Sequence, residues 1–259
     1  MDSKMISVFP IKAFNDNYIW AIKNDSGDAI FFDPGEAEPV INAIENDNLN
    51  PLAIFITHHH HDHIGGVIEL KDKYKMTVFG PDNETNLDID IGLKENDCIE
   101  ISQLDISLTA IETPGHTKGS ICYHSENLLF SGDTLFSAGC GRIFEGTAEQ
   151  MYESMQKIVN LPDDTLIYCA HEYTEANLTF AKHIEPNNTE IVKFQKQVKD
   201  LIKNGKPSLP TTLENEKKIN PFLRCNSSEV KGSAENYAGK PLATEAEVFA
   251  VIREIKNNF

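Results

Sequence analysis

Short apolar runs broken by turn-forming residues dominate the first two-thirds of the chain, a pattern that predicts strands. Residues 6–9 and 18–22 read as strands, and Asn24-Asp25-Ser26-Gly27-Asp28 turns the second into a third over 29–32. Asp33-Pro34-Gly35 stops that hairpin, and 39–46 has helical spacing. The run Leu52-Ala53-Ile54-Phe55-Ile56 has no polar alternation, which predicts a strand buried on both faces. Gly65-Gly66 opens a helix carrying Val67, Ile68 and Leu70, and 76–79 is another strand. Residues 98–102, 105–111, 120–124 and 128–130 read as antiparallel strands, and 165–169 as one more buried strand. From Thr174 onward the spacing is helical, over 175–183, 190–203 and 244–257. The prolines of 205–210 and Asn220-Pro221-Phe222 break the pattern. No internal repeat is present. The pattern predicts an α/β layered domain followed by a smaller helical one, with the boundary near Tyr173.

Composition narrows the functions. With 259 residues the chain has ample length for a sizeable core. A net charge of −17 disfavours a surface that tracks phosphates, so nucleic acid is not expected as a partner. Its apolar runs are far shorter than a membrane span, so no membrane partner is expected either. The first residues lack the apolar core of a signal peptide. Five cysteines, odd in number and without a C-x-x-C pair, favour free thiols in a reducing compartment, and the cytoplasm is the expected location.

Thr57-His58-His59-His60-His61-Asp62-His63 follows the strand over 52–56 and changes the picture most. Imidazole and carboxylate are the ligand types of zinc, manganese and iron(II) sites, and a folded core has no use for so many polar rings side by side. The competing reading is an exposed histidine-rich tract that binds metal adventitiously. His116, in Thr113-Pro114-Gly115-His116-Thr117, Asp133, in Ser131-Gly132-Asp133-Thr134, and His171, in Cys169-Ala170-His171-Glu172, each follow an apolar strand. Strand ends are where open α/β folds project side chains into a shared crevice. Cys140 lies between two glycines but has no base beside it, which argues against a nucleophile. A His–Asp–Ser triad would consume histidines better used on metal.

These residues resemble the metallo-β-lactamase-fold hydrolases, whose pattern is H-x-H-x-D-H followed by distant His, Asp and His. Here it is met by His58, His60, Asp62, His63, His116, Asp133 and His171. Further segments resemble the glyoxalase II, or hydroxyacylglutathione hydrolase, family over essentially the whole chain. They include Asn15-Asp16-Asn17-Tyr18, Gly139-Cys140-Gly141-Arg142, Glu145-Gly146-Thr147, His171-Glu172-Tyr173-Thr174 and Asn220-Pro221-Phe222-Leu223-Arg224. The resemblance implies an α/β fold, an αββα sandwich over 1–173 holding two divalent metals, with a C-terminal helical domain over 174–259 that binds glutathione. It places His58, His60 and His116 on one metal, Asp62, His63 and His171 on the other, and Asp133 between them. Zinc is the first expectation, with iron or manganese as alternatives. His59 and His61 become non-ligands, with supporting contacts or solvent exposure. The implied reaction is hydrolysis of S-(2-hydroxyacyl)glutathione, such as S-D-lactoylglutathione, to glutathione and D-lactate, the second step of methylglyoxal detoxification. A hydroxide bridging the metals is the nucleophile, and Asp62 and Asp133 are the catalytic carboxylates. A thiolate leaves without a strong general acid, so such a site suits a thioester better than an amide.

Arg142, Phe144, Tyr173, Arg253 and Lys256 would contact the small-molecule glutathione thioester, and the chain is expected to act as a monomer. Two positions depart from the family pattern: Arg142 stands where Lys is usual and Phe144 where Tyr is frequent. Arg keeps the charge and adds a bidentate carboxylate contact, whereas Phe loses one hydrogen-bond donor. Three alternatives remain at this stage. A persulfide dioxygenase of the same fold would use one iron, a metal-binding regulatory module would lack catalysis, and β-lactam hydrolysis is disfavoured by the helical extension.

Overall fold

In the computed structural model, residues 6–84 and 87–259 are described. The reading of residues 1–5 as free of a leader lies outside them. The chain folds into two compact units, Met1–Glu112 with Lys118–Gly132, and Thr113–Thr117 with Asp133–Phe259.

The first unit contains β1 (Ile6–Ala13), β2 (Asn17–Asn24), β3 (Asp28–Phe32), α1 (Ala37–Asp47), β4 (Asn50–Phe55), α2 (His61–Ile64), α3 (Val67–Tyr74), β5 (Thr77–Pro81) and β6 (Ile91–Leu93). It continues with β7 (Cys98–Ile101), β8 (Ile106–Glu112), β9 (Ile121–Ser125) and β10 (Leu128–Gly132). β1 to β6 stand side by side in chain order. The first three strands pair antiparallel, and β3 to β6 pair parallel, with α1 crossing from β3 to β4 and α3 from β4 to β5. β7 to β10 form an antiparallel ladder.

Side chains alternate across the first sheet, so neighbouring residues serve different layers. Ala21, Phe31, Ile54 and Val78 pack with Val40 and Ile44 of α1 and Val67 and Leu70 of α3. Ile68, one helical step away, is 59% exposed. Phe32 and Phe55 point the other way, where Phe32 stacks on Phe130 of β10 at 3.7 Å and Phe55 meets Tyr123 of β9 edge-on at 5.2 Å. Tyr123 donates its hydroxyl proton to the Ile56 carbonyl at 2.6 Å, so the buried phenol is satisfied. Each such buried ring contributes about 2–3 kcal/mol of transfer free energy. That apolar stack fixes the end of β4, from which the histidine run leaves.

The second unit contains β11 (Leu135–Phe136), β12 (Gly139–Cys140), α4 (Ala148–Val159), β13 (Leu166–Cys169), α5 (Thr174–Ile184), α6 (Thr189–Lys203), β14 (Thr211–Thr212), α7 (Leu213–Ile219), α8 (Ser228–Ala238) and α9 (Glu245–Asn258). α4, α7 and α8 are absent from the sequence-based expectation. The α4 signal is visible in retrospect: Thr147 and Gln150 form a capping box, and Met151, Met155 and Ile158 are buried at helical spacing. α9 begins with a second capping box, between Thr244 and Glu247.

Two buried carboxylates hold this unit. Glu216 is fully buried and accepts hydrogen bonds from Ser137 Oγ (2.9 Å), the Ala138 amide (2.7 Å), Thr211 Oγ1 (2.9 Å) and Asn220 Nδ2 (3.0 Å). Burial pushes its carboxyl above the usual range, and the four donors oppose that shift. Asn220 also donates to the carbonyls of Phe136 (3.1 Å) and Gly139 (3.0 Å), so the β11–β12 hairpin is pinned on both strands. Glu185, 1% exposed at the end of α5, faces Arg224, whose Nε lies 2.9 Å from Oε2 and Nη2 3.0 Å from Oε1. Among the described residues no helix is long and apolar enough to cross a membrane.

Candidate metal centre

The described His and Asp residues able to group around a metal ion are His58, His60, Asp62, His63, His116, Asp133 and His171. These are the seven positions of the sequence pattern.

Four belong to the first unit. The chain leaves β4 at Ile56, and Thr57 is tied down twice by Asp33, whose Oδ1 accepts the Thr57 amide and Oδ2 the Thr57 hydroxyl, both at 2.7 Å. Because the Thr57 hydroxyl proton is used on Asp33, Thr57 Oγ1 accepts from His58 Nδ1 at 3.0 Å. His58 Nε2 then carries the lone pair, and it converges on His60 Nδ1 at 3.1 Å. The same Asp33 Oδ2 stands 3.0 Å from His63 Nδ1, leaving His63 Nε2 turned toward Asp62 Oδ2 at 3.5 Å. One buried carboxylate thus lies at ion-pair distance from one candidate ligand, His63, and reaches a second, His58, through the Thr57 hydroxyl. Asp33 has a left-handed backbone (φ 51°), which an aspartate tolerates, and is 5% exposed. Asn17 at the start of β2 donates Nδ2 to Asp62 Oδ2 at 3.0 Å and fixes that carboxylate. His59 turns to Glu84, and His61 is exposed.

Three belong to the second unit. Asp133 faces a different histidine with each oxygen: Oδ2 lies 3.5 Å from His116 Nε2, and Oδ1 lies 3.3 Å from His171 Nε2. His116 Nδ1 donates to the Arg142 carbonyl at 2.7 Å, which leaves Nε2 as the basic nitrogen beside Asp133. Gly141 is required here by close approach, since a β-carbon on it would stand 1.9 Å from the Asp133 carbonyl oxygen. Tyr173 stacks on the His171 ring at 4.6 Å and 4°, and Phe136 meets both rings edge-on.

The remaining expected substrate residues also lie in the second unit. Arg142 is exposed, with its guanidinium 5.5 Å from the Phe144 ring centroid, and Phe144, 60% exposed, sits edge-on to His116. Arg253 is buried and donates Nη1 to the Cys140 carbonyl at 2.9 Å, with the Cys140 sulfur at 3.6 Å. Burial pushes the Cys140 thiol up, and Arg253 opposes this only in part. Lys256 lies 4.8 Å from the Phe180 ring centroid and 5.6 Å from that of Phe259, and burial followed by the charge of Arg253 brings its ammonium down to about 8.

The donor set fits divalent metal. Neutral imidazoles with one nitrogen committed to a carbonyl, hydroxyl or carboxylate present the other as a lone pair, and the carboxylates supply the negative charge. Asp33 and Asn17 escaped prediction as site residues because their roles come from contacts across the fold. Asn17 did fall within a family segment.

The metallo-β-lactamase superfamily model matches residues 14–171, and the hydroxyacylglutathione hydrolase C-terminus model matches residues 172–259. Among solved structures, ETHE1 from Myxococcus xanthus superposes with a TM-score of 0.68 at 25% identity, covering 98% of this chain and 91% of that one. The BLEG-1 B3 metallo-β-lactamase superposes with a TM-score of 0.63 at 26% identity, covering 85% and 99%. The architecture is therefore the metallo-β-lactamase α/β sandwich with a C-terminal helical region, carrying a candidate His/Asp metal site. A hydroxyacylglutathione hydrolase of Nitrosomonas europaea is 47% identical over 255 residues, covering 98% of this chain and 97% of that one. One of Erwinia tasmaniensis is 48% identical over 250 residues, covering 96% and 98%. The chain belongs to the hydroxyacylglutathione hydrolase family and is an enzyme of that type.

Asp33→Asn keeps the size of the side chain but removes the charge that orients His58 and His63. Metal affinity is expected to fall by about 10–100-fold, the usual cost of losing such a partner. Chelator competition measures it, and wild-type affinity would contradict the role.

Proposed function

We propose that the enzyme hydrolyses the thioester of S-(2-hydroxyacyl)glutathione, such as S-D-lactoylglutathione, to glutathione and a 2-hydroxy acid, in the detoxification of methylglyoxal. The observation that carries this reading is Asp133, each of whose oxygens faces a different histidine, as a carboxylate shared between two ions would. His58 with His60 and His116 would hold one ion, and Asp62 with His63 and His171 the other, with Asp133 common to both. Groupings of these side chains suited to holding an ion support that division. Zinc comes first by donor chemistry, and iron and manganese accept the same set.

Bound divalent ions supply a water deprotonated near neutral pH and a Lewis acid for the thioester carbonyl. The chain's residues supply the rest. Asp62, whose carboxylate Asn17 holds at 3.0 Å, would orient the attacking water. His58 and His116, whose Nδ1 atoms meet the Thr57 hydroxyl and the Arg142 carbonyl, would keep their tautomers through the reaction. The leaving thiolate, with a free-thiol pKa of about 8.5, departs without a general acid. Residues 174–259 would form the glutathione-binding domain and residues 1–173 the catalytic one, a division supported by the change of family model between 171 and 172. Arg142, Tyr173, Arg253 and Lys256 would meet the two carboxylates and the backbone of glutathione, with Phe144 alongside. Free thiols at all five cysteines support a reducing cytoplasm, where the chain would act as a monomer.

The test is loss of thioester absorbance when the metal-loaded protein meets S-D-lactoylglutathione. Release of one thiol per thioester consumed supports the reading, and a metal-filled protein that leaves the thioester intact refutes it.

Lys256 gives the reaction a pH signature. Its ammonium is charged below a pH of about 8 and neutral above it. A glutathione carboxylate prefers the charged form, so KM is expected to rise as pH passes through about 8 while kcat stays level. In Lys256→Met, KM should be higher at neutral pH and flat across that window. A wild-type KM independent of pH would remove Lys256 from the binding site.

A further inference from the structure

We propose that Phe14 is a specificity-determining residue whose ring reads the acyl side chain of the thioester, a role that rests on the thioesterase reading above. β1 and β2 pair up to Ala13 and Asn17, leaving Phe14, Asn15 and Asp16 as the hairpin loop. Phe14 adopts a left-handed backbone (φ 49°). Glycine and asparagine enter that region readily, and a phenylalanine there is an outlier whose conformation the surroundings must impose. The constraint is visible: the Phe14 amide donates to Glu36 Oε2 at 2.6 Å.

The strained loop does not serve the core. The Phe14 side chain is 48% exposed, whereas the large aromatic residues of this unit's interior are almost completely covered. Its ring instead stands at the loop that carries Asp62. A β-carbon on Gly35 would lie 2.8 Å from Phe14 Cε2 and 1.9 Å from the Asp62 carbonyl oxygen, so the ring edge and the Asp62 backbone flank one glycine. Three residues after Phe14, Asn17 grips the Asp62 carboxylate at 3.0 Å. One short segment thus carries the group that orients Asp62 and an exposed apolar ring beside it.

The chemistry assigns the ring a ligand class. A thioester poised next to Asp62 would bring its acyl substituent to a loop otherwise lined by imidazoles and carboxylates. Phe14 supplies an apolar surface against which an alkyl or aryl substituent of the acyl group can shed water. Asparagine would relax the backbone and abolish that surface, so the cost of keeping phenylalanine is offset by a gain on the substrate side.

The test compares the unmodified chain with Phe14→Asn, which favours the same left-handed backbone and keeps the loop. The kcat/KM for S-mandeloylglutathione, whose acyl group bears a phenyl ring, is expected to fall about tenfold relative to S-acetylglutathione. A second readout needs no turnover: the preference of the protein for S-hexylglutathione over S-methylglutathione in calorimetry should shrink by a similar factor. Unchanged ratios in a variant that hydrolyses S-acetylglutathione normally would overturn the proposal and leave the thioesterase reading standing. Failure of the unmodified chain to hydrolyse any of these thioesters would sink both.

Discussion

Asp133→Ala is expected to lower thioester hydrolysis by about two to three orders of magnitude, the range in which loss of a single electrostatic stabiliser falls. The reason is positional. The two oxygens of Asp133 approach two different histidines, His116 at 3.5 Å and His171 at 3.3 Å. Without it His116 still donates to the Arg142 carbonyl and His171 still stacks on Tyr173, but the negative charge between them is gone. Metal content should drop below about two ions per chain, with the loss of activity following the loss of metal. Asp133→Asn, which retains the shape but not the charge, should fall between the two. Full turnover with full metal content in Asp133→Ala would refute the shared-carboxylate assignment.

Arg224→Ala is expected to destabilise the protein by about 3 kcal/mol or somewhat more. Glu185 is 1% exposed, and Arg224 contacts both its carboxylate oxygens. Removing the guanidinium leaves a buried carboxylate with only Ser227 Oγ at 3.2 Å and Asn188 Nδ2 at 3.5 Å, too little to replace a bidentate cation. Asparagine-length substitutions cannot reach it, and lysine restores charge but not the fork. Urea unfolding with an unchanged slope and a lower midpoint would show the loss, and a midpoint within error of wild type would mean that the pair is neutral. The double change Glu185→Leu with Arg224→Leu should recover much of it, because the cost lies in the unpaired charge rather than in the missing attraction.

The sequence disclosed the site and its framework unevenly, for physical reasons. Strand β4 and the histidines after it were legible because an apolar run ending in polar rings has few other uses. The hairpin of β2 and β3 was legible from Asn24 to Asp28, a run of turn formers that the structure uses for its reversal, with Gly27 at φ 87°. Helix α4 was overlooked although Thr147 and Gln150 announce its start, because its buried Met151 and Met155 are weaker hydrophobic markers than leucine or isoleucine. Asp33 looked like a strand terminator, and nothing local distinguishes a turn aspartate from one that sets two imidazoles. Glu216 reads on the sequence as an ordinary helical glutamate, and only its tertiary donors, Ser137 and Ala138, make it the anchor of the β11–β12 hairpin. Arg253 and Lys256 shared a helical face by spacing. In the structure Arg253 is buried and turned to Cys140, and Lys256 lies against Phe180.

The most direct test of the central claim is titration of metal-free protein with zinc while thiol release from S-D-lactoylglutathione is followed. Hydrolysis should appear only with added metal and reach its plateau at about two ions per chain. Turnover that persists in the metal-free protein, or a plateau at a single ion, would contradict a reaction run by a pair of metals joined through Asp133.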